Sequence, residues 1–228
     1  LHLINLSINF ENINMITLYG FPASNYYGLI KHVLMLKEIA FIEQRNYAAD
    51  AEYLLKSPMG KVPCIATPEG FLSESIAIIE YLEGAYQDKP IASSDPYQRA
   101  KAIEIMRIAE LYIELSARHF LPAILMGTEP SKEAKSKMLP VLKKAFASLE
   151  SMPTFSPYLM GDSCSIADLC VRYALKTGLM VGDKIFDLNF FGETPKLAQW
   201  WKLMNDDPIS QQVDSQAEAS FPEFMNYL

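Results

Sequence analysis

Three short stretches of this chain put polar groups at corners where an extended segment gives way to a helix, and such corners can hold an anion. In Tyr19-Gly20-Phe21-Pro22-Ala23-Ser24-Asn25-Tyr26-Tyr27 a strand ends, the chain turns, and a hydroxyl stands just before a predicted helix. Ser24 has two readings there. As an N-cap, its oxygen accepts a free backbone N–H of the first turn. As a ligand group, the same hydroxyl and the unpaired N–H groups favour negative charge, so a thiol held there ionises more readily. Lowering a thiol pKa by about two units takes roughly 2.7 kcal/mol of preference for the thiolate, and one hydroxyl hydrogen bond plus a helix terminus supplies most of it.

The second stretch, Gly60-Lys61-Val62-Pro63-Cys64, sets a proline at the head of a predicted strand. Proline is ordinary at strand starts. With a cis bond to Pro63, the Val62 N–H and C=O turn outward and can pair with an extended peptide as one more strand. The third is Leu72-Ser73-Glu74-Ser75-Ile76-Ala77-Ile78. Capping explains its serines. Alternatively, Glu74 offers a carboxylate to a ligand ammonium while Ser75 and the free N–H groups accept a ligand carboxylate, a grip for a zwitterionic amino-acid head.

Other candidates read as structural. Ser165-Ile166-Ala167-Asp168 is a variant capping box, so Asp168→Ala is expected to cost stability, about 1 kcal/mol or more, without touching the chemistry. Cys64 is expected to be a buried small apolar residue. His2, His32 and His119 are widely spaced and show no metal-ligand pattern, so no metal is assigned.

The elements that must position these residues alternate from Met15 onward. Ile16 to Gly20 reads as a strand, Asn25 to Ala40 as a helix, Phe41 to Tyr47 as a strand and Ala48 to Leu55 as a short helix. Val62 to Thr67 and Phe71 to Ser73 form a hairpin about Pro68-Glu69-Gly70, and Glu74 to Tyr86 closes the unit as a helix. Beyond residues 88–95, rich in proline and serine, the pattern is helical: Pro96 to Leu125, Lys132 to Leu149, Ile166 to Leu179 and Pro195 to Met204. The expected organisation is a leader over 1–14, an α/β domain over 15–87, a linker over 88–95 and an all-helical domain over 96–228.

Composition narrows the function. The 228 residues are 50% hydrophobic and 21% charged, an ordinary globular balance that excludes disorder. Their net charge of -7 has the wrong sign for tracking nucleic-acid phosphates. No apolar run reaches the ~18 residues that a spanning helix needs, so no membrane is expected. Three cysteines without a Cys-x-x-Cys pair fit a reducing, cytoplasmic setting.

Taken in order, Ser-Asn-Tyr-Tyr, Gly-Lys-Val-Pro, Glu-Ser-Ile-Ala-Ile and Gly161-Asp162-Ser163-Cys164-Ser165-Ile166-Ala167-Asp168 make the chain resemble the cytosolic glutathione transferases, in a bacterial-type, serine-type branch. The resemblance implies a thioredoxin-like first domain, an all-helical second domain and a homodimer. It makes Ser24 the hydrogen-bond donor to the glutathione sulfur, with Tyr19 in reserve, and pairs Val62, ahead of Pro63, with the cysteinyl unit. It sets Glu74 and Ser75 on the γ-glutamyl head and Lys61 near the glycyl carboxylate. Tyr112 faces the pocket for a small hydrophobic electrophile. The implied reaction is attack by the sulfur on that electrophile, or reduction of a peroxide. Lys31 and Ser57-Pro58 depart from the common Arg and Asn-Pro of the family, away from the thiol site. The absence of a cysteine between Tyr19 and Lys31 argues against its omega-like and glutaredoxin-like branches. The competing expectation is a non-catalytic interaction module on the same fold.

Overall fold

The computed structural model describes residues 15–47 and 50–228; the leader expected over 1–14 and the first two residues of the expected 48–55 helix lie outside them. β1 (Ile16–Gly20) alternates, with Ile16 and Leu18 fully buried and Thr17 and Tyr19 only partly so. Gly20 ends it at φ 144°, where an added Cβ would stand 2.7 Å from the Tyr27 ring, so the tight turn into Phe21 needs a glycine. α1 (Asn25–Leu36) follows, buries an unbroken run from Tyr27 to Leu34, and carries the crossover to β2 (Phe41–Arg45), parallel to β1.

After the short α2 (Ala51–Leu54), β3 (Cys64–Thr67) pairs antiparallel with β1, and β4 (Gly70–Ser73) returns beside β3. The sheet order is β2-β1-β3-β4, and α3 (Ser75–Ala85) packs back with Ile78, Ile79 and Leu82 buried. The strand and helix order read from the sequence is the order observed.

Helices make up the rest: α4 (Pro96–Ile108), a π-helical segment (Ala109–Glu114), α5 (Leu115–Arg118), α6 (Leu121–Met126), α7 (Lys132–Ser151), α8 (Ile166–Phe186), α9 (Pro195–Asp206) and α10 (Pro208–Tyr227). The single helix expected over 96–125 is therefore broken twice. The π-helical segment widens the coil, and Pro122 in the first turn of α6 forces a new start after Arg118. The π-helical segment runs very close to α8. A Cβ at Gly178 would come within 2.4 Å of Ile113 Cγ2.

The sheet layer and the helical half share one buried cluster, centred on α1 and α8. Polar ties fix their relative position. Asn25 Nδ2 of α1 donates to Thr177 Oγ1 of α8 at 2.7 Å, while within the helical half the fully buried Arg172 of α8 donates to Asp214 Oδ2 of α10 at 2.8 Å. Lys37 pairs with Glu83, whose other oxygen accepts the Ile91 and Ala92 N–H groups at 3.1 and 3.0 Å and so pins the stretch before α4. Asp168 lies buried at the start of α8, and its carboxyl accepts from Ser165 N and Leu159 N and from the Trp200 indole. Among the described residues no helix is long and apolar enough to cross a membrane.

Candidate functional site

A cleft of about 610 Å³ opens between the sheet layer and the helices, and the three sequence stretches meet in it. Its lining includes Ser24, Lys61, Val62, Pro63, Glu74 and Ser75. These residues come from segments up to 51 positions apart, brought together because β1 and β3 are neighbours and α3 begins where β4 ends.

Ser24 is the N-cap of α1, at φ -81° and ψ 124°. Its Oγ accepts from Tyr27 N at 3.4 Å, near the long limit of such a bond. Both readings of this residue are therefore compatible. A hydroxyl that accepts one N–H keeps its own proton to donate, and the cleft lies beside it. α1 has no acidic side chain of its own in its first turn to offset the positive end of the helix.

The Val62–Pro63 bond is cis. Val62 stands just outside the β3 ladder, and its main chain makes no backbone hydrogen bond among the described residues. The preceding residue is fixed from behind, since the Lys61 carbonyl accepts from Tyr53 Oη at 3.0 Å and from Ser57 Oγ at 2.8 Å. Lys61 thus has an anchored backbone and an exposed side chain at the cleft edge.

Glu74 is the N-cap of α3 with φ 69° and ψ 115°, a conformation an L-residue adopts at a cost of order 1–3 kcal/mol. Its side chain makes no capping bond. A residue held in that conformation, with its carboxylate free of the helix it starts, suits binding better than capping. Ser75 follows as the first helical residue, so the α3 amide groups open on the same cleft.

Two expected residues fall elsewhere. Tyr112 sits in the π-helical segment, half exposed, and is not among the residues lining the cleft. Bonding to the fifth residue rather than the fourth turns this stretch off the face that ordinary helical spacing assigns. Tyr26, from the first turn of α1, lines the cleft instead, as do Phe21 and Tyr47. Tyr19 likewise does not line the cleft. Its ring meets Phe71 edge-on at 6.2 Å, with Lys56 Nζ 5.6 Å from its centre, and burial pushes its phenol up against the pull of Lys56. Cys64 is fully buried, and burial raises its thiol to about 11, so it is inert as a nucleophile. No group of side chains with metal-holding geometry occurs among the described residues.

The helical wall of the cleft departs furthest from expectation. An apolar pocket was expected, yet this wall carries Arg107, Glu110, Glu114 and Arg118 beside Leu115. Arg107 pairs with Glu110 at 2.5 Å, and Arg118 with the buried Glu114. Tyr26 Oη also donates to Glu114 Oε2, at 3.1 Å. Sequence reasoning missed this group, although Glu114 and Arg118 stand four apart and the spacing was open to view.

A third layer supports the Ser24 turn. Phe21 stacks on Tyr47 with centroids 4.8 Å apart and on Phe224 of α10 at 5.1 Å, and Tyr47 meets Tyr227 at 5.3 Å. Phe21 and Tyr47 both line the cleft. The C-terminal helix therefore backs the loop that presents the hydroxyl.

The chain is similar to known proteins in sequence and in fold. The model of the glutathione S-transferase N-terminal domain matches residues 18–90, and that of the glutathione S-transferase C-terminal domain matches residues 104–208. A glutathione S-transferase of Pseudomonas putida is 34% identical over 94% of this chain and 98% of its own length. The elongation factor 1-gamma 1 of Oryza sativa is 25% identical over 71% of this chain, which spans 38% of that protein. Among solved structures, a glutathione transferase from Phanerochaete chrysosporium with oxidized glutathione superposes with a TM-score of 0.78 over 92% of this chain and 97% of its own, at 16% identity.

Proposed function

Because the chain belongs to the glutathione S-transferase family, we propose that it binds glutathione along the β3 edge and the start of α3, and that Ser24 holds the glutathione sulfur as a thiolate. The observation that carries this reading is the Ser24 hydroxyl at the N-terminus of α1, whose first turn holds no acidic side chain, lining the same cleft as Val62, Glu74 and Ser75. Each group then has one task. The Ser24 proton is donated to the sulfur, and the Val62 main chain pairs with the cysteinyl unit. Glu74 takes the γ-glutamyl ammonium, Ser75 and the α3 amides take its carboxylate, and Lys61 takes the glycyl carboxylate.

Rate enhancement comes from the thiolate population and from holding sulfur and second substrate together. The thiolate attacks an electrophilic carbon, or a peroxide oxygen with a second glutathione completing the reduction. No protein-bound covalent intermediate is needed. A homodimer working in a reducing cytoplasm completes the reading, in keeping with the family and with three unpaired cysteines.

Retention on immobilised glutathione followed by turnover of a generic aryl halide tests it. Ser24→Ala is expected to lower conjugation at least about tenfold while glutathione affinity stays within a few-fold, because the loss falls on ionisation. The elongation-factor relative motivates the second reading, a binding module without turnover. Retention with no conjugation by the wild type supports that module and overturns the transferase.

A further inference from the structure

Tyr27 carries a hydroxyl that its place in the core does not require. The residue is 2% exposed and its ring fills the space at the Gly20 turn, which phenylalanine would fill equally well. A buried phenol costs free energy unless it finds a partner. Tyr27 Oη donates to Glu43 Oε2 on β2 at 2.5 Å, and the other oxygen of that carboxylate accepts from Lys31 Nζ, one helical turn further along α1, at 2.6 Å. The Lys31 side chain is itself buried. Burial and the bond to Glu43 push the phenol well above its ordinary range, so it stays a donor. Burial works to raise the Glu43 carboxyl, but the bonds from Lys31 and Tyr27 prevail and hold it below its usual range, so it stays an acceptor.

This chain of contacts reaches Ser24 through the backbone. Tyr27 N is the donor to Ser24 Oγ, at 3.4 Å where such bonds are commonly about 2.9 Å. Asn25 and Tyr26 tie the same turn to the helical half through Thr177 and Glu114, whereas Tyr27 ties it to the sheet. Tyr27, Lys31 and Glu43 do not line the cleft; they border a separate cavity of about 380 Å³ between β2, α1 and α10. Their influence on a ligand in the cleft therefore passes through the turn that carries Ser24 and not through contact.

Resting on the reading of Ser24 as the group that holds the sulfur, we propose that Tyr27, anchored by Glu43 and Lys31, is a positioning residue that keeps the capping bond of α1 long and so leaves the Ser24 oxygen to the sulfur. With the phenol released, Tyr27 N and Ser24 Oγ close to the usual length, a movement of about 0.5 Å. A displacement of that order at a group that must meet a reacting atom costs several-fold in rate.

The test titrates the ultraviolet absorbance of the thiolate in bound glutathione and follows kcat against pH with chlorodinitrobenzene. Tyr27→Phe keeps the ring and the amide and loses only the phenol. It is expected to move the ionisation up by at least about half a pH unit, so that kcat falls about threefold or more on the acid limb, with the alkaline plateau and KM for glutathione within about twofold. Lys31→Met/Glu43→Ala removes the anchor without stranding a buried charge and is expected to titrate as Tyr27→Phe does. Added to Ser24→Ala, Tyr27→Phe is expected to change nothing further, because the group it acts through is gone. Unshifted ionisation in Tyr27→Phe or in the anchor variant, or an equal shift in the Ser24→Ala background, overturns the positioning role while leaving the transferase intact. If Ser24→Ala by itself leaves the ionisation unshifted, the reading of Ser24 falls and this role falls with it.

Discussion

Replacing Asp168 with alanine removes a carboxyl group that organises the start of α8 from full burial. Its Oδ1 accepts from Leu159 N at 2.8 Å and from Trp200 Nε1 at 2.7 Å, and its Oδ2 from Ser165 N at 2.9 Å and Ser165 Oγ at 2.6 Å. Leu159 is 0% and Trp200 1% exposed, so both of their donors are left without water or partner. A stranded buried donor costs about 1–3 kcal/mol, and the lost cap adds about 1 kcal/mol, giving a destabilisation of about 4 kcal/mol. For a chain of this size that lowers Tm by about 10 °C. The sequence alone set only a floor of about 1 kcal/mol; the reach to Leu159 and Trp200 raises it. Asp168→Asn keeps one acceptor oxygen and is expected to cost about half as much. Asp168 is not among the cleft residues, so glutathione affinity and kcat per folded molecule stay unchanged in conditions where the variant is folded. Urea unfolding read by tryptophan fluorescence, with calorimetric titration of glutathione, measures both. A loss below about 1 kcal/mol, or full stability with lost binding, refutes the reasoning.

Other perturbations address the remaining elements. Glu74→Ala is expected to weaken glutathione binding at least about tenfold with kcat at saturation within a few-fold, because an ammonium partner contributes to binding in ground and transition state alike; a fall in kcat alone contradicts that. Phe224→Ala removes the stack behind Phe21, a pair worth about 0.5–1.5 kcal/mol, and is expected to raise KM for glutathione several-fold while Phe224→Tyr does not; an unchanged KM refutes the backing role. His32 is neutral in the fold, its pKa pushed down to about 4 by burial, with Arg172 also lowering it and Asp207 and Asp214 opposing. The unfolded chain takes up a proton at this residue near pH 6.5 that the fold refuses. Its stabilising contribution, present above that pH, is lost as pH falls toward 4, to the extent of about 3 kcal/mol. Urea midpoints of wild type and His32→Gln over that range check the sign, and parallel curves contradict it.

What was legible in the sequence was local. Ser24 before an amphipathic run, Pro63 at a strand start and Glu74-Ser75 at a strand-to-helix corner are signatures written in a few consecutive residues, and the fold brings them to the lining of one cleft. The helical wall was not legible, because its geometry depends on a π-helical segment that periodicity cannot register. The family resemblance set Tyr112 on the pocket, whereas the positions of this wall that line the cleft are Arg107, Glu110, Glu114, Leu115 and Arg118. α10 escaped for another reason. Its aromatic residues Phe221, Phe224 and Tyr227 cluster at one end of a polar helix, and their partners Phe21 and Tyr47 lie some two hundred positions away. Only tertiary contact gives that pattern a meaning.

Titrating the ultraviolet absorbance of the thiolate in glutathione bound to wild type and to Ser24→Ala addresses the central claim most directly. Ionisation about two pH units below that of free glutathione in the wild type, moving back up by about one unit or more in the variant, is the predicted result. Coincident titration curves for the two proteins would show that the hydroxyl capping α1 does not hold the sulfur's charge.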